Sequence, residues 1–113
     1  MNANVIAKKL QSIERKGAMR SVDVANLLGT RPETVSRWNL GKAFPRSDAE
    51  RTLLDLEYLV ELLSDIYEPE EARLWFYSRQ KLLGGVAPAD MIRAGRIQEL
   101  ITAVDQLRDG VHV

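Results

Sequence analysis

The chain has 113 residues, 45% hydrophobic and 28% charged, with 16 basic side chains against 16 acidic ones. That describes one ordinary globular chain, too short for a multidomain enzyme, with no apolar run free of charge for long enough to cross a membrane and no signal-peptide segment after Met1. It has no cysteine and a single histidine, His112, which excludes disulfides, thiolate nucleophiles, Cys-type metal centres, His-based triads and multi-His metal sites. The expectation is a soluble, cytoplasmic protein that is not an enzyme and needs no cofactor or metal.

Val5, Ile6, Leu10 and Ile13 recur at helical spacing, which predicts a first amphipathic helix over about residues 3–16, ended by Gly17. Ser21 offers a cap for a short helix with an apolar face of Val22, Ala25 and Leu28, stopped by Gly29. Thr30-Arg31-Pro32-Glu33 has the form of a capping box with proline in the first turn, so a third helix runs from about Arg31 to Leu40 and Gly41 closes it. Ser47-Asp48-Ala49-Glu50 repeats the capping pattern ahead of a long helix to about Tyr67, with Leu53, Leu56, Leu59, Val60, Leu63 and Ile66 on one side and acids on a solvated other side. Pro69 starts a helix carrying Ala72, Leu74, Trp75 and Phe76, with both aromatics expected in the core. Leu82-Leu83-Gly84-Gly85 forms a turn with apolar anchors, and Pro88 opens a brief helix that Gly95 breaks. A last helix runs from Ile97 to Leu107 and Gly110 stops it, leaving Val111-His112-Val113 as a tail. No segment alternates with period two for long enough to argue a strand, so the predicted class is all-α.

The balanced charge hides an asymmetry. Residues 1–46 carry nine basic groups against three acids, and residues 47–113 carry seven against thirteen. Such a split signals two different tasks, with nucleic acid as the usual partner of the basic side. The segment SVDVANLLGTRPETVSRW, from Ser21 to Trp38, supplies the small residue (Ala25) and the glycine (Gly29) that a close crossing of two short helices requires. Val24, Leu28, Val35 and Trp38 fill the wedge, while Arg31, Glu33, Thr34, Ser36, Arg37 and Asn39 face outward with groups suited to phosphates and base edges. This segment resembles the Xre/Cro-type helix-turn-helix, over roughly residues 3–46. The candidate DNA contacts are Arg31, Thr34, Ser36, Arg37, Asn39, Lys42 and Arg46, the last two toward phosphate.

The remainder has a different order of features: EEARLWF from Glu70, LLGG from Leu82, PADMIRAG from Pro88 and LRDGVHV from Leu107. In that order and spacing it resembles the Xre/MbcA/ParS-like toxin-binding domain. Two positions depart from the family pattern: Arg79-Gln80 stand where proline-asparagine is common, and His112 replaces an aromatic residue near the end. The resemblance implies a type II antitoxin with a helix-turn-helix domain at 1–46, a connecting or dimerising helix at 47–67 and a toxin-binding domain at 68–113. It also implies a RES-domain toxin partner that consumes NAD or transfers ADP-ribose, an NAD pocket covered by the antitoxin's C-terminal segment, and repression of its own operon through operator DNA. Arg93, Arg96, Gly110, Val111, His112 and Val113 are the candidate toxin contacts, and a homodimer is expected on a two-fold DNA site. A stand-alone regulator whose C-terminal domain only oligomerises is the alternative. A small hydrolase is the reading that the cysteine and histidine counts and the lack of a cleft-like carboxylate pair oppose.

Overall fold

The computed structural model describes residues 2–110 and is all-α, as periodicity predicts. Seven helices follow one another: α1 (Ala3–Gly17), α2 (Ser21–Leu28), α3 (Pro32–Asn39), α4 (Ser47–Ser64), α5 (Pro69–Tyr77), α6 (Pro88–Arg93) and α7 (Ile97–Gly110), with a short 3-10 turn at Lys81–Leu83. The only strand-like pairing among the described residues is an isolated antiparallel bridge between Gln80 and Val86, which ties off that turn. The molecule measures 45 × 25 × 24 Å.

Helix ends differ from the expected ones in instructive ways. Gly17 does not stop α1 by its own conformation; Ala18 takes the left-handed turn at φ 53°. Gly17 is buried, and a Cβ there would lie 3.1 Å from both Val60 methyl carbons, so glycine lets α1 and α4 approach. Gly29, at φ 72° with open space around its missing Cβ, is needed for backbone conformation instead. The expected capping boxes at Thr30 and Ser47 are absent. Arg31 and Arg46 occupy the N-cap positions without side-chain bonds, and carbonyl oxygens of the same two residues accept the first helical N–H groups. The corresponding bond at α2 runs from the Arg20 backbone N–H to Asp23 Oδ2 at 3.0 Å.

The buried side chains form one cluster through the whole chain. Ile6 and Ile13 of α1, Leu27 of α2, Val35 and Trp38 of α3, the leucines of α4, Phe76 of α5, Ile92 of α6 and Leu100 of α7 all belong to it. Helix α4 is its axis, packed on α1, α5 and α7, while α1 also meets α5 and α2 meets α6. The boundaries expected after residues 46 and 67 fall between helices, and the core runs across both. Two faces were misjudged. Val22 is exposed and Leu27 takes its expected buried place on α2, while Ile66 lies beyond the last turn of α4 and is 73% exposed.

The acidic side of α4 is not simply solvated. Glu57 is buried and accepts from Lys9 Nζ at 2.9 Å. Glu61 pairs with Lys16 at 2.6 Å and accepts from Ser12, and Asp55 accepts from Gln98 at 2.6 Å. Glu57 and Glu61 therefore rivet α4 to α1 and Asp55 rivets it to α7, while Asp48 stays on the exposed side.

Candidate nucleic-acid and protein interfaces

Helix α3 is short, and its Val35 and Trp38 point into the core. At roughly 100° per residue, Glu33 and Arg37 then point most directly outward. Arg31, Arg37, Lys42 and Arg46 are exposed, as is Asn39, while Thr34 and Ser36 are half-buried. Arg31, Thr34 and Arg37 recur every three residues and share a stripe. Asn39, two positions after Arg37, falls on another side, beside Glu14 and Arg20 of a crevice of about 20 Å³.

Charge pairing leaves the asymmetry of the sequence largely intact. Lys9 and Lys16 are matched by acids of α4, but no ion pair among the described residues includes Lys8, Arg15, Arg20, Arg31, Arg37, Lys42 or Arg46. At the same time Asp23, an acid of this half, is taken up by Arg73 of α5, with Nη1 to Oδ1 at 2.8 Å. Among the described residues this leaves seven cations against Glu14 and Glu33, so the surface of α1–α3 and the following turn stays strongly cationic after pairing. Leu40 and Phe44 are exposed beside it, a feature that helical patterning could not rank because both follow the last buried residue of α3.

The candidate toxin contacts have internal partners. Arg93 donates to Asn26 Oδ1 of α2 at 2.7 Å and also pairs with Asp90. Arg96 pairs with Glu99 at 2.9 Å, one turn on along α7. Gly110 is the last residue of α7 instead of a stop beyond it. Val111, His112 and Val113 lie outside the described residues. Arg73 and Arg93 thus hold Asp23 and Asn26, adjacent on the same face of α2, from the other half of the molecule. Asp23 raises the Arg73 pKa further, against the opposing effect of burial. Arg73 also stacks 5.0 Å from the Tyr77 ring, whose phenol is pushed up first by its own burial and then by Asp23.

Patterning did not reveal an apolar groove of about 570 Å³ between the end of α4, α5, the 3-10 turn and α7. Ile66, Leu82 and Leu107 are exposed along it. Trp75 is half-buried in its wall instead of fully in the core, standing edge-on to the buried Phe76 at 5.2 Å between ring centres. Ile66 and Leu82 read as core and turn anchors because spacing shows that a residue is apolar, not whether a neighbour covers it. Among the described residues no group of three His, Cys, Asp or Glu side chains is placed to hold a metal ion, and no helix is long and apolar enough to cross a membrane.

No family model matches the chain. The mycobacterial cidal antitoxin MbcA of Mycobacterium bovis is 30% identical over 114 residues, covering all of both chains, and so is MbcA of Mycobacterium tuberculosis. The chain belongs to the MbcA antitoxin family. A chain in the crystal structure of the M. tuberculosis MbcT–MbcA toxin–antitoxin complex superposes with a TM-score of 0.78 at 30% identity, covering 97% of this chain and 99% of that one. The antitoxin membership and the all-helical fold therefore agree.

Proposed function

We propose that this protein is the antitoxin of a RES-domain toxin that consumes NAD or transfers ADP-ribose, and that it also represses its own operon. What carries the antitoxin part is the end-to-end similarity to MbcA together with the match to a chain of a toxin–antitoxin complex. The RES identity of the partner rests on the resemblance of the C-terminal half described above. In this reading the toxin is neutralised by the segment Gly110 to Val113. Val111 and Val113 enter the nucleotide pocket. Arg93 and Arg96, already engaged internally, contribute at the edge of that contact.

Operator binding belongs to the other half. Among the described residues seven cations of α1–α3 and the following turn have no acidic partner, which suits a polyanion, and Arg37 is the exposed outward cation of α3 best placed to read a base edge. Arg31, Lys42 and Arg46 meet phosphate, with Thr34, Ser36 and Asn39 filling in around them. Two copies act together on half-sites about 34–36 Å apart or a multiple of that.

The decisive experiment co-expresses this chain with the product of the adjacent reading frame. Growth arrest by that product is relieved by the full chain and returns when residues 111–113 are removed. Neutralisation that survives the truncation eliminates the pocket-covering mechanism.

A further inference from the structure

The turn after α3 holds an aromatic ring out of the core between cations. Gly41, at φ 74°, ends the helix in a Schellman arrangement: its N–H donates to the Trp38 carbonyl at 3.1 Å, and the Lys42 N–H donates to the Arg37 carbonyl at 2.9 Å. The side chains at the two ends of that second bond often form an apolar clasp. Here they are Arg37 and Lys42, both exposed and neither in an ion pair among the described residues. From Lys42 to Arg46 the side chains then alternate. Ala43 packs against the core and Pro45 is buried, whereas Lys42, Phe44 and Arg46 are exposed. Pro45 confines the residue before it to extended conformations, and Arg46 is extended too, at φ −63° and ψ 162°. The result is a stiff strip of cation, ring and cation, about 13 Å from end to end at the rise of an extended chain.

Charge and length identify what the strip meets. Between Glu33 and Asp48 the chain carries three cations, Arg37, Lys42 and Arg46, and no acid. A second copy docked through the same patch would set those cations against their own kind, whereas a polyanion is complementary to them. Helix α3 has eight residues, about 12 Å, which is close to the ~12 Å width of a major groove. A helix of that length reading such a groove ends at the sugar–phosphate wall, and across the wall lies the minor groove. Phe44 stands two residues beyond Lys42, no more than about 7 Å further on, and its side chain is 45% exposed.

We propose, resting on the operator-binding reading above, that Phe44 is a DNA-deforming residue. Lys42 and Arg46 grip phosphates on either side of it, and its ring wedges against a base step in the minor groove next to the major groove that α3 enters. Sites are then selected partly by how easily that step unstacks, so some of the specificity lies outside the base edges that Arg37 reaches. Because Pro45 already restricts the backbone, little conformational freedom is lost when the ring is engaged.

The test uses the full chain, with the duplex upstream of its own reading frame as the probe. Phe44→Ala is expected to weaken binding about ten-fold and to reduce the bend seen by circular-permutation gels. It should leave the slope of log affinity against log salt unchanged, since no phosphate contact is lost. Phe44→Leu, which keeps an apolar wedge, should retain most of the affinity and the bend. With the wild-type chain, 2-aminopurine scanned through the flanking steps should brighten at one of them, a readout that does not depend on any variant folding. Unchanged affinity and bend in Phe44→Ala, or no brightening with wild type, overturns the wedge and leaves operator binding standing. Weaker binding with a flattened salt slope and an unchanged bend assigns Phe44 to holding the turn and overturns the wedge as well. Loss of a wild-type dimer in Phe44→Ala assigns the patch to a second copy, with the same consequence. A wild-type chain that does not bind the probe overturns the operator reading and the wedge together.

Discussion

The two ends of this molecule share one core but expose opposite chemistries. From α1 to the turn after α3 the apolar side chains are mostly inside, Val22, Leu40 and Phe44 excepted, and among the described residues seven cations are left without acidic partners. From the end of α4 to α7 the emphasis shifts: Arg73, Arg93, Arg96 and Arg108 are paired and only Arg79 and Lys81 are in no ion pair among the described residues, while Ile66, Leu74, Leu82 and Leu107 stand exposed. Unpaired charge acts over about a Debye length, ~8–10 Å, and suits an extended polyanion. Exposed apolar surface acts only on contact and suits a shaped protein partner. The difference teaches that two surfaces can be specialised without separating the chain into two folding units.

The largest expected effect strikes the shared part of that comparison. Leu56→Ala, at a fully buried position on α4, should cost about 2–5 kcal/mol. Because Trp38 sits in α3 and Trp75 in α5, a variant keeping only one tryptophan reports on each end. Urea transitions followed through either should coincide, and two separate midpoints would break the one-core description. Next come the proposed DNA contacts of α3. Arg37→Ala should weaken operator binding by about 1–3 kcal/mol and relax base preference, whereas Lys42→Ala should weaken all sequences alike and flatten the salt dependence by about one unit of slope. Equal salt slopes for Lys42→Ala and wild type would count against a phosphate contact, and toxin neutralisation should be unaffected by either change.

The tie between the ends is weaker. Asp23→Ala leaves the Arg73 guanidinium without its carboxylate, and Nη1 of that group has no aligned hydrogen bond elsewhere. A loss of about 1–2 kcal/mol is expected, less than for a fully buried pair because Arg73 is partly solvated. A double-mutant cycle with Arg73→Met measures the coupling directly. The smallest effect is at Glu61. The hydrogen bond from Lys16 holds its carboxyl below the ordinary value of 4.5, overcoming the opposite push of burial. Its folded pKa is thus depressed, so its stabilisation is present at neutral pH and fades as pH falls below about 4.5. With the side chain 42% exposed, solvent screening keeps Glu61→Gln under about 1 kcal/mol at pH 7, and the difference from wild type should vanish in acid.

How much of this was legible beforehand depended on what decides each feature. Helix positions followed from periodicity and from Gly29, Gly41, Pro69 and Pro88, because those residues restrict the local backbone whatever surrounds them. Burial of Val35, Trp38, Leu53, Leu56, Leu59, Val60 and Leu63 was legible from their spacing along one helical face. The roles of Gly17, Glu57 and Glu61 were not, since each depends on what lies across the α1–α4 contact, Val60 for the glycine and Lys9 and Lys16 for the acids. Val22 and Leu27 were misjudged because, in a helix of eight residues, a one-position error rotates the face by about 100°. The candidate DNA contacts follow from outward positions, and the structure leaves Arg31, Arg37, Asn39, Lys42 and Arg46 exposed and Thr34 and Ser36 half-buried. The groove depended on four segments meeting and could be seen only once they had.

The continuous core along α4 also governs the protein's lifetime. When global opening is the only way to expose the backbone to a protease, both specialised surfaces are exposed in the same event and destroyed together. Neither surface can then persist as a stable fragment without the other, so under the proposed function operator binding and toxin inhibition would remain locked to a single number in the cell.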